Sequence, residues 1–206
     1  MNIDLKRKNA VTFGLRASGK STFVNKVTED HGARALLYDT LHEAPKDAPY
    51  YSYKPKNRNS VAELEAVILK LKDSRQFDLF VIDECNRFAP SKPTPLPPQL
   101  ADLNDQSRHY GLSVIYIARR PCQLNQDLTE LADYMFIFAL TGKSDIKYLN
   151  DISGGLGDTV LQLQQYQFVV VNPNRSYFIA NPITPSEKWL SSAKQHLTNF
   201  NAGVSI

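Results

Sequence analysis

An α/β fold, with a mainly parallel sheet flanked by helices on both faces, is predicted by three features of the sequence. Short apolar runs alternate with longer amphipathic stretches along most of the chain. One of the first turns is glycine-rich and lies between a strand pattern and a helix pattern. A later apolar run, at 79–82, is short, fully apolar and followed by two acids, as expected of a strand buried on both faces.

The elements follow in order. Residues 10–15 form a first strand, and a helix over 19–30 follows its glycine-rich turn. A second strand over 33–38 leads into a long polar loop. The next helix is placed near 61–74, because Val61, Leu64, Val67, Ile68 and Leu71 recur on one helical face. The third strand is 79–82. A proline-rich stretch (Pro90, Pro93, Pro95, Pro97, Pro98) precedes a helix around 99–109. A strand over 112–118, a helix around 125–132 and a strand over 134–140 continue the alternation. Residues 167–171 and 176–180 flank the turn at 172–175 and read as an antiparallel hairpin closing the sheet. A final amphipathic helix is expected near 185–200, with Trp189, Leu190 and Leu197 on its packed face. The whole chain, 1–206, is expected to be one domain, its core spanning about 10–180.

Composition excludes several classes. The chain has 206 residues, 42% hydrophobic and 22% charged, which suits a globular domain and not a disordered one. Its 24 Lys and Arg against 21 Asp and Glu leave a net charge of +3, too mild to mark a nucleic-acid binder and compatible with one. Two cysteines, Cys85 and Cys122, do not make a disulfide framework, and Cys85 reads as a buried structural thiol. No apolar run approaches the ~18 residues of a bilayer span. Residues 1–8 lack the apolar centre of a signal peptide. Membrane-inserted, secreted and fibrous classes are therefore not expected.

The segment Gly14–Thr22, GLRASGKST, matches G-x-x-x-x-G-K-[ST] in full, in strand–loop–helix context. Glycines at both ends let the backbone wrap a phosphate, so that successive N–H groups and a helix N-terminus face the anion. Gly14, Arg16, Ala17, Ser18, Gly19, Lys20, Ser21 and Thr22 are the expected nucleotide contacts. Lys20 reaches the β- and γ-phosphates, and Ser21 offers its hydroxyl to Mg²⁺. The expected fold is thus that of a P-loop NTPase. A second GKS at Gly142–Ser144 lacks the earlier glycine, since Ile137 stands there, and reads as a helix start capped by Thr141 or Ser144. Gly154, Gly155 and Gly157 read as a flexible turn.

Asp83 and Glu84 end the apolar strand 79–82. Ligands of parallel α/β sheets bind at the carboxyl ends of strands. Asp83 is placed to hold the Mg²⁺ shell, and Glu84 to polarise a water attacking the γ-phosphate. A kinase needs no water-activating acid, so the pair points to ATP hydrolysis. A kinase lid would also be rich in arginine, whereas 142–157 carries only Lys143 and Lys147. No guanine-reading N-K-x-D sequence occurs, which makes ATP the default nucleotide. Arg119 and Arg120 end the strand 112–118. Arg119 reads as a sensor of the γ-phosphate in its own subunit, and Arg108 as a finger reaching a neighbour's nucleotide.

These segments resemble the FtsK/HerA superfamily of ring-forming DNA-pumping ATPases. The resemblance covers roughly 10–140 and rests on GLRASGKST, FVIDE, and RHYGL leading into a strand that ends in Arg120-Pro121. In many relatives that last segment reads T-Q-R-P; here Arg119 stands in place of the glutamine, supplying charge where an amide would orient water. In size the chain is similar to the genome-packaging ATPases of membrane-containing icosahedral viruses. The resemblance implies ATP and Mg²⁺ as cofactors, a homo-oligomeric, hexamer-like ring, and double-stranded DNA as the transported partner. It also implies capsid or capsid-membrane proteins as further partners, in the cytoplasm of a host cell or at a virion vertex. A filamentous-phage-type assembly or export ATPase is the alternative within the same branch; a nucleotide kinase or a nucleotide switch lies outside it.

For DNA contact, the segment 50–58 places three tyrosines and three basic residues within nine positions. Tyr53, Lys54, Lys56 and Arg58 are the expected contacts. Lys6, Arg7 and Lys8 form a second basic cluster, and the proline-rich 89–98 segment is a candidate subunit contact or pore loop.

Overall fold

A computed structural model describes residues 4–185. The described residues form an eight-stranded sheet: β1 (Asn9–Phe13), β2 (Ala35–Tyr38), β3 (Tyr51–Tyr53), β4 (Leu79–Ile82), β5 (Ser113–Ala118), β6 (Tyr134–Ile137), β7 (Phe168–Val171) and β8 (Tyr177–Ala180). Their spatial order is β3-β2-β4-β5-β1-β6-β7-β8. All pairings from β3 to β6 are parallel, and β7 and β8 close the sheet as an antiparallel hairpin. The helices are α1 (Lys20–His31), α2 (Val61–Ser74), α3 (Pro98–Gln106), α4 (Gln126–Glu130), α5 (Lys143–Ile152) and α6 (Leu156–Leu161).

Two apolar layers sandwich the sheet. On one face Phe23 and Val24 of α1 meet Ala10, Val81, Ile115 and Phe136. On the other, α2 to α6 cover Val11, Phe13, Phe80 and Tyr116. β4 shows why its run had to be apolar throughout: Leu79, Phe80, Val81 and Ile82 are all fully buried, with successive side chains entering opposite layers. α2 buries Leu64, Val67, Ile68 and Leu71 along one stripe. Each contributes roughly 1.5–3 kcal/mol by leaving water.

Three differences from the expected elements have local causes. The long polar loop contains β3, a three-residue parallel edge strand paired with β2. Its sequence, Tyr-Ser-Tyr, is too short for an alternation to show. The helix α5 has Gly142 as its N-cap and no side-chain cap bond, so neither Thr141 nor Ser144 supplies one. Of the glycines after α5, Gly154 and Gly155 form the expected turn, Gly155 capping α6 in the left-handed region at φ 79°, whereas Gly157 lies inside α6. Gly157 lies so close to α5 that an added Cβ would fall 2.4 Å from the Ile146 carbonyl oxygen. The final helix expected near 185–200 lies outside the described residues.

Candidate active site

The phosphate loop is hung between two neighbouring strands. The Gly14 N–H donates to the Arg119 carbonyl after β5 (3.3 Å), and the Leu15 N–H to the Ala139 carbonyl after β6 (3.1 Å). Because β1 lies between β5 and β6, the loop emerges at the middle of the sheet's carboxyl edge. Gly14 is required by closeness: a Cβ there would come within 2.6 Å of Phe138 Cβ and 2.7 Å of Ser18 Oγ. Gly19 sits at φ 106° as the cap of α1, leaving the first N–H groups of that helix without side-chain acceptors. Ser18 Oγ is buried without a hydrogen-bond partner among the described residues.

Lys20 folds back over this loop, its Nζ donating to the Gly14 and Leu15 carbonyls. Burial lowers its pKa, against the opposing pull of Glu84 and Asp83. The acids come from β4. The Asp83 N–H donates to Tyr38 O (3.2 Å), and its carbonyl accepts from Thr40 Oγ1 at 2.7 Å. Its carboxyl is pushed up to about 7, first by burial and then by Glu84, Asp39 and Glu43. Glu84 follows with φ 50°, a left-handed conformation that turns the chain away from the strand. Glu84 is nearly buried, and its carboxylate accepts from Arg119 Nε at 2.8 Å. Arg87 Nε lies 3.8 Å from its other oxygen.

One cleft of about 990 Å³ joins these groups, lined by Arg16 to Thr22, Asp83, Glu84 and Arg119. The structure therefore brings together the phosphate loop, both acids and Arg119, although the acids lie more than sixty residues along the chain from the loop. Arg108 is elsewhere. It is exposed in the turn between α3 and β5, at the amino edge of the sheet, opposite the cleft. Lys54, Lys56 and Arg58 are exposed on the loop between β3 and α2. Tyr53 is turned toward the domain, stacked on Tyr38 with ring centroids 5.5 Å apart and donating to Glu63 Oε1 at 2.9 Å. The same Glu63 carboxylate accepts the N–H groups of Lys56 (2.9 Å) and Asn57 (3.1 Å), which bind the basic loop to the first turn of α2. Those hydrogen bonds hold its pKa below the usual range.

Two contributors were not singled out from the sequence. Asp39 ends β2 as Asp83 ends β4, and its buried carboxylate accepts the N–H groups of Glu43 (2.9 Å) and Ala44 (3.0 Å). An acid closing a buried apolar strand was the available signal. Tyr166, on the far wall of the cleft, carries no sequence signal.

The donor set fits a magnesium ion accompanying a phosphate. Mg²⁺ prefers hard oxygens and is usually held by one or two carboxylates together with substrate phosphates. Asp83, crowded by other carboxylates and raised in pKa, gains from a nearby divalent charge, and Ser21 exposes a hydroxyl on the same cleft. Among the described residues there is no cluster of three or more His, Cys, Asp or Glu able to hold a metal by itself.

No family model matches the chain, and no curated protein matches it. Solved structures do. The genome packaging NTPase B204 of Sulfolobus turreted icosahedral virus 2, in complex with ATP-gammaS, superposes with a TM-score of 0.75 at 19% identity, over 88% of this chain and 100% of that one. The B204 DNA-packaging ATPase of Sulfolobus turreted icosahedral virus gives 0.76 at 18%, with the same coverage. The fold is that of a P-loop ATPase. The N-terminal domain of zonular occludens toxin from Neisseria meningitidis shares it more distantly, with a TM-score of 0.53 at 12% identity over 91% of this chain and 98% of that one. The chain thus shares its fold with two genome-packaging NTPases and, more distantly, with a toxin domain. No helix among the described residues is long and apolar enough to cross a membrane.

Proposed function

We propose that this chain is an ATP-hydrolysing motor subunit that moves double-stranded DNA, of the viral genome-packaging type. The observation that carries the reading is the meeting, in one cleft, of a phosphate loop with the adjacent acids Asp83 and Glu84, the glutamate buried and held by Arg119. Phosphoryl transfer to water needs those parts: an anion cradle, a carboxylate for the metal, an acid beside the water, and a cation for the developing charge.

The loop N–H groups and Lys20 would bind the β- and γ-phosphates, Lys20 exchanging its two loop carbonyls for phosphate oxygens. Ser21 and Asp83 would hold Mg²⁺, which supplies charge neutralisation at the β- and γ-oxygens. Glu84 would accept a proton from the attacking water. While Arg119 holds Glu84, the carboxylate is oriented but engaged, so proton acceptance requires Arg119 to turn toward the γ-phosphate. Arg108, on the opposite edge, would serve a neighbouring subunit's cleft in a hexamer-like ring. The exposed Lys54, Lys56 and Arg58 would face DNA phosphates, with Tyr53 bracing their loop from inside. Capsid or capsid-membrane proteins would dock the ring at a virion vertex, in the cytoplasm of a host cell. The B204 structures support this reading through a shared fold of matching extent.

ATP turnover per subunit, measured against protein concentration with and without double-stranded DNA, tests it. Slow turnover when dilute, rising with concentration and with DNA, is expected. Fast turnover that is independent of both would overturn it.

A further inference from the structure

Tyr166 combines three properties that folding alone does not account for. It occupies the left-handed region at φ 64°, where a bulky side chain is disfavoured. Its side chain is not compensated by burial, remaining 49% exposed. And it lines the same cleft as the phosphate loop, passing so close to the loop that a Cβ on Gly19 would lie 3.6 Å from its Cδ1.

The turn that holds it is rigidly made. The Gln167 N–H donates to Gln164 O, and the Gln164 N–H to Gln167 Oε1, both at 3.0 Å. Two residues later Phe168 enters the core, stacked on Phe138 with centroids 4.9 Å apart, and Phe138 underlies Gly14 and Gly19. Tyr166 is thereby positioned relative to the phosphate loop through two aromatic rings. The hairpin register pairs Phe168 with Ala180, so the residues leaving β8 run back past Tyr166. Pro182 and Ile183 consequently join it on the cleft wall. The cleft is polarised: acids at the β2 and β4 end, phosphate loop in the middle, and an aromatic and apolar wall at the β7 and β8 end.

We propose that Tyr166, with Pro182 and Ile183, forms the platform on which the nucleobase of the bound nucleoside triphosphate stacks. The proposal rests on the ATP-binding reading given above. A base presents a flat π-face that stacks on an aromatic ring regardless of its edge groups, so this wall recognises the class of ligand more than the identity of the base.

The test compares the Mg²⁺ complexes of ATP and of inorganic tripolyphosphate by calorimetric titration. Tyr166→Ala is expected to weaken ATP binding roughly five- to fiftyfold and to leave tripolyphosphate binding unchanged. Tyr166→Phe, which keeps the ring, is expected to bind ATP as the parent does. Tyr166→Gly provides a folding control, because glycine relieves the positive φ. Its melting temperature is expected not to fall, while its ATP affinity drops as in the alanine variant. Undiminished ATP affinity in the glycine variant, or an equal loss for tripolyphosphate, overturns the base platform while leaving triphosphate binding intact. A parent protein that binds neither ligand overturns the ATP reading and the platform together.

Discussion

Arg119 Nε donates to Glu84 Oε1 at 2.8 Å, across the gap between the ends of two adjacent strands, β5 and β4. Arg119 is half exposed and Glu84 nearly buried, so the pair joins a largely solvated cation to a buried anion. The same guanidinium that holds the glutamate lines the cleft together with Lys20, which is where the proposed chemistry needs a cation.

Glu84→Gln keeps the shape of the side chain and removes its proton-accepting charge. ATP binding is expected to persist within a fewfold, while steady-state hydrolysis falls by at least ~100-fold, the usual scale for removing a general base. Equilibrium titration and phosphate release measure the two separately. Unchanged turnover would assign the water-activating role to another group.

The pKa of Asp83, raised to about 7, makes a stability prediction. An unfolded aspartate titrates near 4, so the folded state binds this proton more tightly. Protonated Asp83 therefore favours the fold at low pH, and this contribution is lost progressively as pH rises from about 4 to 7 and is absent above. Asp83→Asn is therefore expected to melt higher than the parent in the presence of a chelator. The gain should grow between pH 5 and 7 and level off above, reaching roughly 2 kcal/mol once relaxation of the buried site is allowed for. The same variant is expected to lose Mg²⁺-dependent ATP turnover. Thermal melts across that pH range, paired with activity, check both halves.

Neutralising Lys54, Lys56 and Arg58 together is expected to weaken DNA binding and flatten its salt dependence. Each DNA phosphate that is no longer neutralised reduces the slope of log affinity against log salt by about 0.9, so three such phosphates account for up to about 2.7. Fluorescence anisotropy with duplex DNA at several salt concentrations reads this directly. An unchanged slope would move the DNA interface elsewhere. Tyr53→Phe removes only the hydroxyl bond to Glu63 and is expected to leave the slope intact.

Much of the fold was legible because its signals are local. α2 and β4 begin and end where periodicity and apolar run length put them, at Val61–Ser74 and Leu79–Ile82. The phosphate loop is a contiguous motif, and the acids follow a buried strand whose carboxyl end can face only one edge of the sheet. What stayed hidden depends on packing between distant residues. β3 is three residues long and exists because β2 offers it an edge. Gly157 permits a close packing of α6 on α5 that no local pattern encodes. Tyr166 acquires its position from Phe168 and Phe138, neither of which marks it in the sequence. The tyrosines of 50–58 show the converse: composition proposed an aromatic surface, yet Tyr50 is buried and Tyr53 faces the core, leaving Tyr51 as the exposed one of the three.

The neighbouring arginines 119 and 120 separate chemistry from architecture. Arg120 Nε donates to Asp145 Oδ2 at 2.8 Å, and Asp145, at the start of α5, is almost completely buried. The Cys122 N–H also donates to this carboxylate, at 3.4 Å. Removing Arg120 would leave Asp145 buried with one long backbone bond, and an uncompensated buried charge is strongly destabilising. Arg120→Ala is expected to lower stability by about 2 kcal/mol, a drop of several degrees in melting temperature. Turnover per folded molecule should change less than twofold at temperatures well below the melt. Arg119→Ala is expected to do the reverse. Glu84 lines the open cleft and keeps Arg87 Nε 3.8 Å from its other oxygen, and the Arg119 guanidinium is half in water, so the melt should fall less than for Arg120→Ala. Turnover should fall ~10- to 100-fold with little change in ATP affinity, since charge at the γ-phosphate matters most in the transition state. Parallel melts and kinetics on the two variants decide the assignment, and equal kinetic losses in both would make Arg120 part of the chemistry.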